Sequence, residues 1–278
     1  MPELPEVETT CRGIEPHIVD KMIIHFVIRN GKLRWPVAIK LCEILPGLCI
    51  NKVSRRGKYI LLETTQGTLM IHLGMSGNLR VLPANTPLLK HDHIEIQFDS
   101  GIVLRFNDPR RFGSILWHDI SQGDINNHKL LFKLAPEPLS TEFNEDFFYR
   151  AIHNRRVAIK NLMMNSQVAV GAGNIYANEA LFVSRINPKK PGNCITKQEC
   201  ADIVQNIKAV LKESIEQGGT TLKDFVKPDG KPGYFEQHLN VYGRENQPCP
   251  KCSTPIEKII IAQRSTFYCP CCQPGKEQ

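Results

Sequence analysis

The sequence predicts an α+β multidomain chain: an N-terminal antiparallel β-sandwich, a helical C-terminal part and a small closing β-hairpin. Three observations predict it. Six short apolar segments follow one another between residues 22 and 106 with no long helix among them, the texture of antiparallel strands rather than of βαβ units. Beyond residue 142 the apolar period becomes helical. Finally, five of the ten cysteines crowd into residues 249–272.

Taken in order, Val7, Cys11 and Ile14 recur at helical spacing, and Gly13 and Pro16 stand near the end of a first helix over 5–15. The strand segments are 22–28, 48–53, 58–64, 67–73, 93–98 and 102–106, punctuated by turn residues such as Thr65-Gln66-Gly67 and Asp99-Ser100-Gly101. Residues 1–130 therefore form the sandwich domain. A linker over 131–142 contains Pro136-Glu137-Pro138, and a helical domain over 143–240 follows. Its helices are expected at 144–152, 155–164, 174–183 and 197–217. The last carries one apolar stripe of Ile203, Val204, Ile207, Leu211 and Ile215, a Thr196–Glu199 capping box and a Gly218-Gly219 stop. Residues 218–240 hold four glycines and two prolines without a period, yet keep Phe225, Tyr234 and Phe235, which predicts a functional loop. The terminal hairpin occupies 244–274.

The composition narrows the function. With 41% hydrophobic and 23% charged residues in 278, the chain has material for a core and too little charge for disorder. No run of eighteen apolar residues is present, so no membrane-spanning helix is expected. MPELPEVETT opens with three glutamates and no basic residue, the opposite of a secretory leader, so the expected compartment is the cytoplasm. Residues 1–149 carry 17 basic and 17 acidic side chains, whereas 150–278 carry 18 and 11. The net charge of +7 thus lies wholly in the second half, which suits a polyanion-binding surface and equally a basic protein with no such partner.

Cys249-Pro-Lys-Cys252 and Cys269-Pro-Cys-Cys272 are two C-x2-C knuckles separated by sixteen residues. In a reducing compartment they suit a structural tetrathiolate zinc site, with Cys271 as a spare thiol. Four thiolates leave no open coordination position, so one Zn2+ ion folds the segment without doing chemistry. Arg264, near the tip of the intervening hairpin, is either a phosphate contact or a solvated turn residue. At the other end of the chain, removal of Met1 would expose the secondary amine of Pro2 beside Glu3 and Glu6. An α-amino group titrates near ~8 against ~10.4 for lysine, so it holds more free base at neutral pH. Such an amine can form an iminium with a deoxyribose C1′ while a carboxylic acid protonates the ring oxygen. Without a family resemblance to draw on, Pro2 reads first as a helix-start residue.

The start PELPEVE, RRGKY at 55–59, HLGMSG at 72–77, DPRRFG at 108–113, GAGNIYANE at 171–179, the GGTTLKDF…DGKPGYF loop and the closing QRSTFYCPCCQ together resemble the bacterial formamidopyrimidine-DNA glycosylase family. The resemblance spans essentially the whole chain. It implies a bifunctional DNA glycosylase and AP lyase of base excision repair that removes 8-oxoguanine and formamidopyrimidines from damaged double-stranded DNA and cuts the strand by β,δ-elimination. It further implies a helix-two-turns-helix element in the helical domain, a zinc finger, and a monomer associated with the bacterial nucleoid. Pro2 is then the nucleophile, Glu3 the general acid/base, and Lys58 a contact at the lesion. Met75, Arg110 and Phe112 resemble the probes that fill the gap left by an extruded nucleotide; an apolar wedge replaces stacking, and an arginine can hydrogen-bond the orphaned cytosine. Glu6, His72 and His91 fall in similar stretches, Glu6 within the DNA-binding set and the histidines as backbone or phosphate contacts or, equally, as structural histidines. Asn174 and Arg264 correspond to phosphate-binding residues, and Thr220, Thr221 and Tyr234 to the loop that closes over the flipped base. The chain departs from the family pattern at Cys11, Asn165 and Ala172, none of them a proposed catalytic position.

Two other readings remain open at this level. One is the sister endonuclease VIII family, which acts on oxidised pyrimidines and against which the LPEVE opening and the Met75, Arg110 and Phe112 set argue. The other is a zinc-ribbon DNA-binding protein without catalysis, which predicts duplex binding with no covalent adduct.

Overall fold

The computed structural model describes residues 2–218 and 239–275. It forms two compact units, one built on residues 2–132 and one on 133–216 together with 239–275. Among the described residues no helix is long and apolar enough to cross a membrane.

The first unit opens with α1 (Leu4–Ile18). Leu4, Val7, Cys11, Ile14 and Ile18 bury one face, and the Glu6 carboxylate accepts the Glu3 backbone N–H at 2.8 Å to close the first turn. The helix runs through Gly13 and Pro16, which the sequence places near its end. A proline in the last turn costs only the bond its own nitrogen would have donated, and Val19 N–H still reaches Glu15 O at 3.1 Å. The Cys11 thiol packs in the core and donates to Ser54 O; burial, with Glu8 nearby, pushes it up to about 12, so this departure from the family pattern is inert packing.

Eight strands follow: β1 (Ile23–Ile28), β2 (Lys52–Arg56), β3 (Tyr59–Glu63), β4 (Gly67–His72), β5 (Asn78–Pro83), β6 (Asp92–Phe98), β7 (Ile102–Asn107) and β8 (Ser114–Asp119), with a short helix α2 (Leu41–Ile44) after β1. They form two four-stranded antiparallel sheets, ordered β1-β6-β7-β5 and β2-β3-β4-β8. Ile60, Leu62, Leu69, Ile71 and Ile115 from one sheet and Phe26, Leu79, Ile94, Ile96, Leu104 and Phe106 from the other share one core, the antiparallel sandwich that the sequence predicts. Sequence reading yields six of these strands and misses β5 and β8. In β5 only Leu79 and Val81 face the core, and Arg80 between them is buried on the far face of its sheet. There Arg80 pairs with Asp92, and Arg105 with Glu95.

That charged face holds down the segment before β6. Arg105 donates to Pro87 O at 3.0 Å, Asn107 to Lys90 O at 3.0 Å, and Leu89 N–H to Asp92 at 2.8 Å. The chain is thereby fixed just before His91, which turns with φ +76°.

In the second unit α3 (Glu145–Ile152), α4 (Ile159–Met163), α5 (Asn174–Val183) and α6 (Lys197–Glu216) precede the hairpin β9 (Glu257–Ile261) and β10 (Arg264–Tyr268). The α4 helix is shorter than the 155–164 expected, because Ala158 bridges Pro191 and the carbonyls of Arg155 and Val157 accept from Asn193 and Gly192. The Thr196–Glu199 box is formed reciprocally at 2.8 and 3.2 Å. After α6, Gly218 adopts φ +84°, the left-handed conformation of a helix stop. Phe182 of α5 shares a core with Val241, Cys249, Ile256, Phe267 and Cys269, so the hairpin packs directly on the helices.

Candidate active site and nucleic-acid interface

Pro2, Glu3 and Glu6 lie together at the start of α1, all three buried. Glu8, one turn on, receives Arg12 at 2.9 Å and Arg55 at 3.0 Å. Burial pulls its carboxyl up, but Arg55 and Arg12 outweigh that and hold it below the usual carboxylate range. Arg55 also donates to Gly57 O at 2.9 Å and so shapes the β2–β3 turn that carries half-buried Lys58. The helix bearing Pro2 and Glu3 and the turn bearing Lys58 are thus tied by one side chain. Neither Glu8 nor Arg55 was singled out from sequence, since the pairing joins residues 47 apart.

Topology brings the probe residues together. The β4–β5 turn leads from one sheet to the other, and the β7–β8 loop leads back. Because β4 pairs with β8 (His72 opposite Ser114) and β5 with β7 (Asn78 opposite Asn107), both connections fall at the same end of the sandwich. Met75 sits in the first, half-buried, and Arg110 and Phe112 sit in the second, exposed. The Arg110 guanidinium lies 5.0 Å from the Phe112 ring centroid, an arginine and an aromatic ring presented as a pair. Gly74 is required beside them: it has φ +66°, and a Cβ there would lie 2.4 Å from the Phe112 carbonyl carbon.

His72 closes this corner. Its Nδ1 accepts Gly74 N–H at 3.0 Å, which leaves Nε2 carrying the proton, and its ring packs on Tyr59 with centroids 4.8 Å apart. Burial, reinforced by the charges of Lys58 and Arg34, depresses its pKa to about 4, so it is a neutral donor at physiological pH. His91 joins the same end: its carbonyl accepts Asp108 N–H at 3.1 Å.

In the second unit Asn174 begins α5 and donates to Ser265 O at 2.9 Å. Lys160 of α4, fully buried, reaches the same carbonyl at 3.3 Å and Thr266 Oγ1 at 2.9 Å. These bonds fix the start of β10, on the tip side of the hairpin, beside exposed Arg264. The tip itself is Ala262-Gln263, both at positive φ, so Arg264 is the first residue of β10 and not a turn residue. The Asn174 Oδ1 has no partner among the described residues. Ser265 and Thr266 lie more than a hundred residues from Lys160, a pairing that no local spacing encodes. Thr220, Thr221 and Tyr234 lie outside the described residues.

The sulfurs of Cys249, Cys252, Cys269 and Cys272 all lie within 4.8 Å of one another, with contacts of 3.8, 3.4 and 3.5 Å. A tetrahedral zinc with bonds of about 2.3 Å separates its sulfurs by roughly 3.8 Å, so the four thiols fit the ion. Cys271 is exposed and outside the cluster. Zinc held here crosslinks the two ends of the hairpin.

An amino-terminal β-sandwich, a helical unit and a four-cysteine hairpin define a class of zinc-finger DNA glycosylases, and the comparisons with known proteins place the chain within it. Residues 1–115 match the model of the formamidopyrimidine-DNA glycosylase N-terminal domain, 134–226 that of its H2TH domain, and 246–275 the zinc finger found in FPG and IleRS. A formamidopyrimidine-DNA glycosylase of Hydrogenovibrio crunogenus is 56% identical over 98% of this chain and 96% of its own. MutM (Fpg) of Thermus thermophilus superposes with a TM-score of 0.86 at 37% identity, covering 98% of both chains. A mutant Lactococcus lactis Fpg in complex with Fapy-dG containing DNA gives 0.91 at 31% identity, covering 99% of this chain and 100% of that one. The chain belongs to the formamidopyrimidine-DNA glycosylase family.

Proposed function

We propose that this protein is a bifunctional glycosylase and AP lyase of base excision repair that excises oxidised purines, 8-oxoguanine and formamidopyrimidines, from duplex DNA. The observation that carries the reading is the grouping, within one unit, of a proline–glutamate start on a capped helix with a corner presenting Met75, Arg110 and Phe112. Its substrate class is supported by relatives named for formamidopyrimidine-DNA.

With Met1 removed, the Pro2 nitrogen attacks C1′ of the damaged nucleotide, the C1′–N bond to the base breaks, and the base leaves with a proton. Glu3 protonates the ring oxygen as the sugar opens to the iminium. Loss of a C2′ proton then expels the 3′ phosphate, a second elimination expels the 5′ phosphate, and water releases the enzyme from the sugar remnant. Glu6 holds Glu3 in place through its backbone N–H. Lys58 and His91 contact the strand at the lesion, and Asn174 and Arg264 bind its phosphates. Extrusion of the damaged nucleotide costs a few kcal/mol, offset by Met75 and Phe112 filling the stack and by Arg110 pairing with the opposite cytosine. Thr220, Thr221 and Tyr234 cover the flipped base. The protein works as a monomer on nucleoid DNA in the bacterial cytoplasm. Parallel excision from duplexes carrying 8-oxoguanine or thymine glycol tests the substrate class: faster release of 8-oxoguanine is expected, and the reverse order would overturn the reading.

A further inference from the structure

The probe corner has a hub that the reaction itself does not use. Asp108 is fully buried. Its Oδ1 accepts the Ser76 hydroxyl at 2.7 Å, and its Oδ2 accepts Gly113 N–H at 2.8 Å. Its backbone carbonyl accepts His93 Nε2 at 2.9 Å and Arg111 N–H at 3.2 Å, and its N–H donates to His91 O at 3.1 Å. Ser76, also buried, accepts Arg110 N–H at 3.2 Å on the same oxygen that donates to Asp108.

We propose that Ser76 and Asp108 are positioning residues that latch the Met75 turn to the Arg110–Phe112 loop, so that wedge and opposite-base reader move as one body. The reason is geometric. Met75 is adjacent to Ser76 in sequence, and the Ser76 oxygen is the bridge between the Asp108 carboxylate and the Arg110 backbone. Asp108 also fixes both ends of the loop, through its own peptide and through Gly113. An exposed arginine on an unlatched loop would keep its charge but lose the fixed approach that a bidentate contact to a base edge requires. A buried side chain with all its bonds directed at neighbouring segments constrains where those segments sit.

The inference rests on the assignment of Arg110 as reader of the opposite cytosine, and a double-mutant cycle separates the two. The readout is the ratio of 8-oxoguanine excision opposite cytosine to that opposite adenine. Both rates are measured on the same preparation, so any loss of folded fraction cancels. Arg110→Ala should lower the ratio about tenfold, the scale of one bidentate base contact. Ser76→Ala should lower it about threefold in the parent and leave it unmoved when Arg110 is already alanine, since a positioning residue acts only through the group it positions. Asp108→Asn, which keeps the shape and loses one acceptor, should behave as Ser76→Ala does. An unchanged ratio in Ser76→Ala and Asp108→Asn, or an equal loss on top of Arg110→Ala, would overturn the latch. An unchanged ratio in Arg110→Ala would overturn the reader assignment and remove the latch's purpose with it.

Discussion

Glu179 offers the sharpest test of how the second unit is held. Its carboxylate, almost wholly buried, accepts four hydrogen bonds from the chain that enters the finger: Asn240 N–H at 2.8 Å and Asn240 Nδ2 at 2.9 Å on one oxygen, Val241 and Tyr242 N–H at 2.9 Å each on the other. Glu179→Gln preserves size but turns one oxygen into a donor facing donors. Two bonds to a charged acceptor are lost, each worth about 1.5–3 kcal/mol. Asn240 can turn its amide outward, so the expected net loss is about 3 kcal/mol. The damage should concentrate where Val241 packs with Phe182, Cys249 and Cys269. Urea unfolding and the rate of zinc release to a chelator measure both effects. The variant should show a lower midpoint and faster release. A stability within about 0.5 kcal/mol of the parent and an unchanged release rate would refute the claim that these four bonds anchor the finger.

Three further outcomes follow from the geometry. Cys249→Ser should lose zinc and weaken duplex binding, because the hairpin that carries Arg264 is closed by the tetrathiolate site; unchanged affinity in the metal-free variant would contradict a DNA-contacting finger. Gly74→Ala combines a left-handed φ with a Cβ 2.4 Å from backbone, so calorimetry should show a loss of about 2–4 kcal/mol; a loss below about 0.5 kcal/mol would show that the corner yields freely. His72 is neutral in the fold down to about pH 4, whereas unfolded histidine takes up a proton near ~6.5. Its contribution is therefore complete above pH ~6.5 and declines by about 3 kcal/mol as pH falls to ~4. His72→Gln should flatten the stability profile across that window, and an identical slope would refute the shifted titration.

What the sequence disclosed depended on how local the signal was. The zinc cysteines were legible because two knuckles announce themselves by spacing, and α6 because its stripe and its Thr196–Glu199 box lie within one helix. β5 was not, because Arg80 occupies a buried position that only the cross-strand pairing with Asp92 makes tolerable. The exact tip of the hairpin was not legible, since Ala262 and Gln263 adopt positive φ without the glycine or asparagine that usually marks such a turn. Catalytic and probe candidates came from motifs. Their supports, Arg55, Ser76, Asp108, Lys160 and Glu179, act across gaps of 32 to 106 residues where hydrogen bonds join separate segments, and no period or spacing encodes those.

The central claim is covalent chemistry at the imino nitrogen of Pro2, and reductive trapping reads it directly. Borohydride added during incubation with an 8-oxoguanine duplex should fix protein to DNA, and peptide mapping should place the bond on Pro2 of a chain that has lost Met1. A crosslink mapped to a lysine, or strand cutting at full rate with no crosslink, would contradict it.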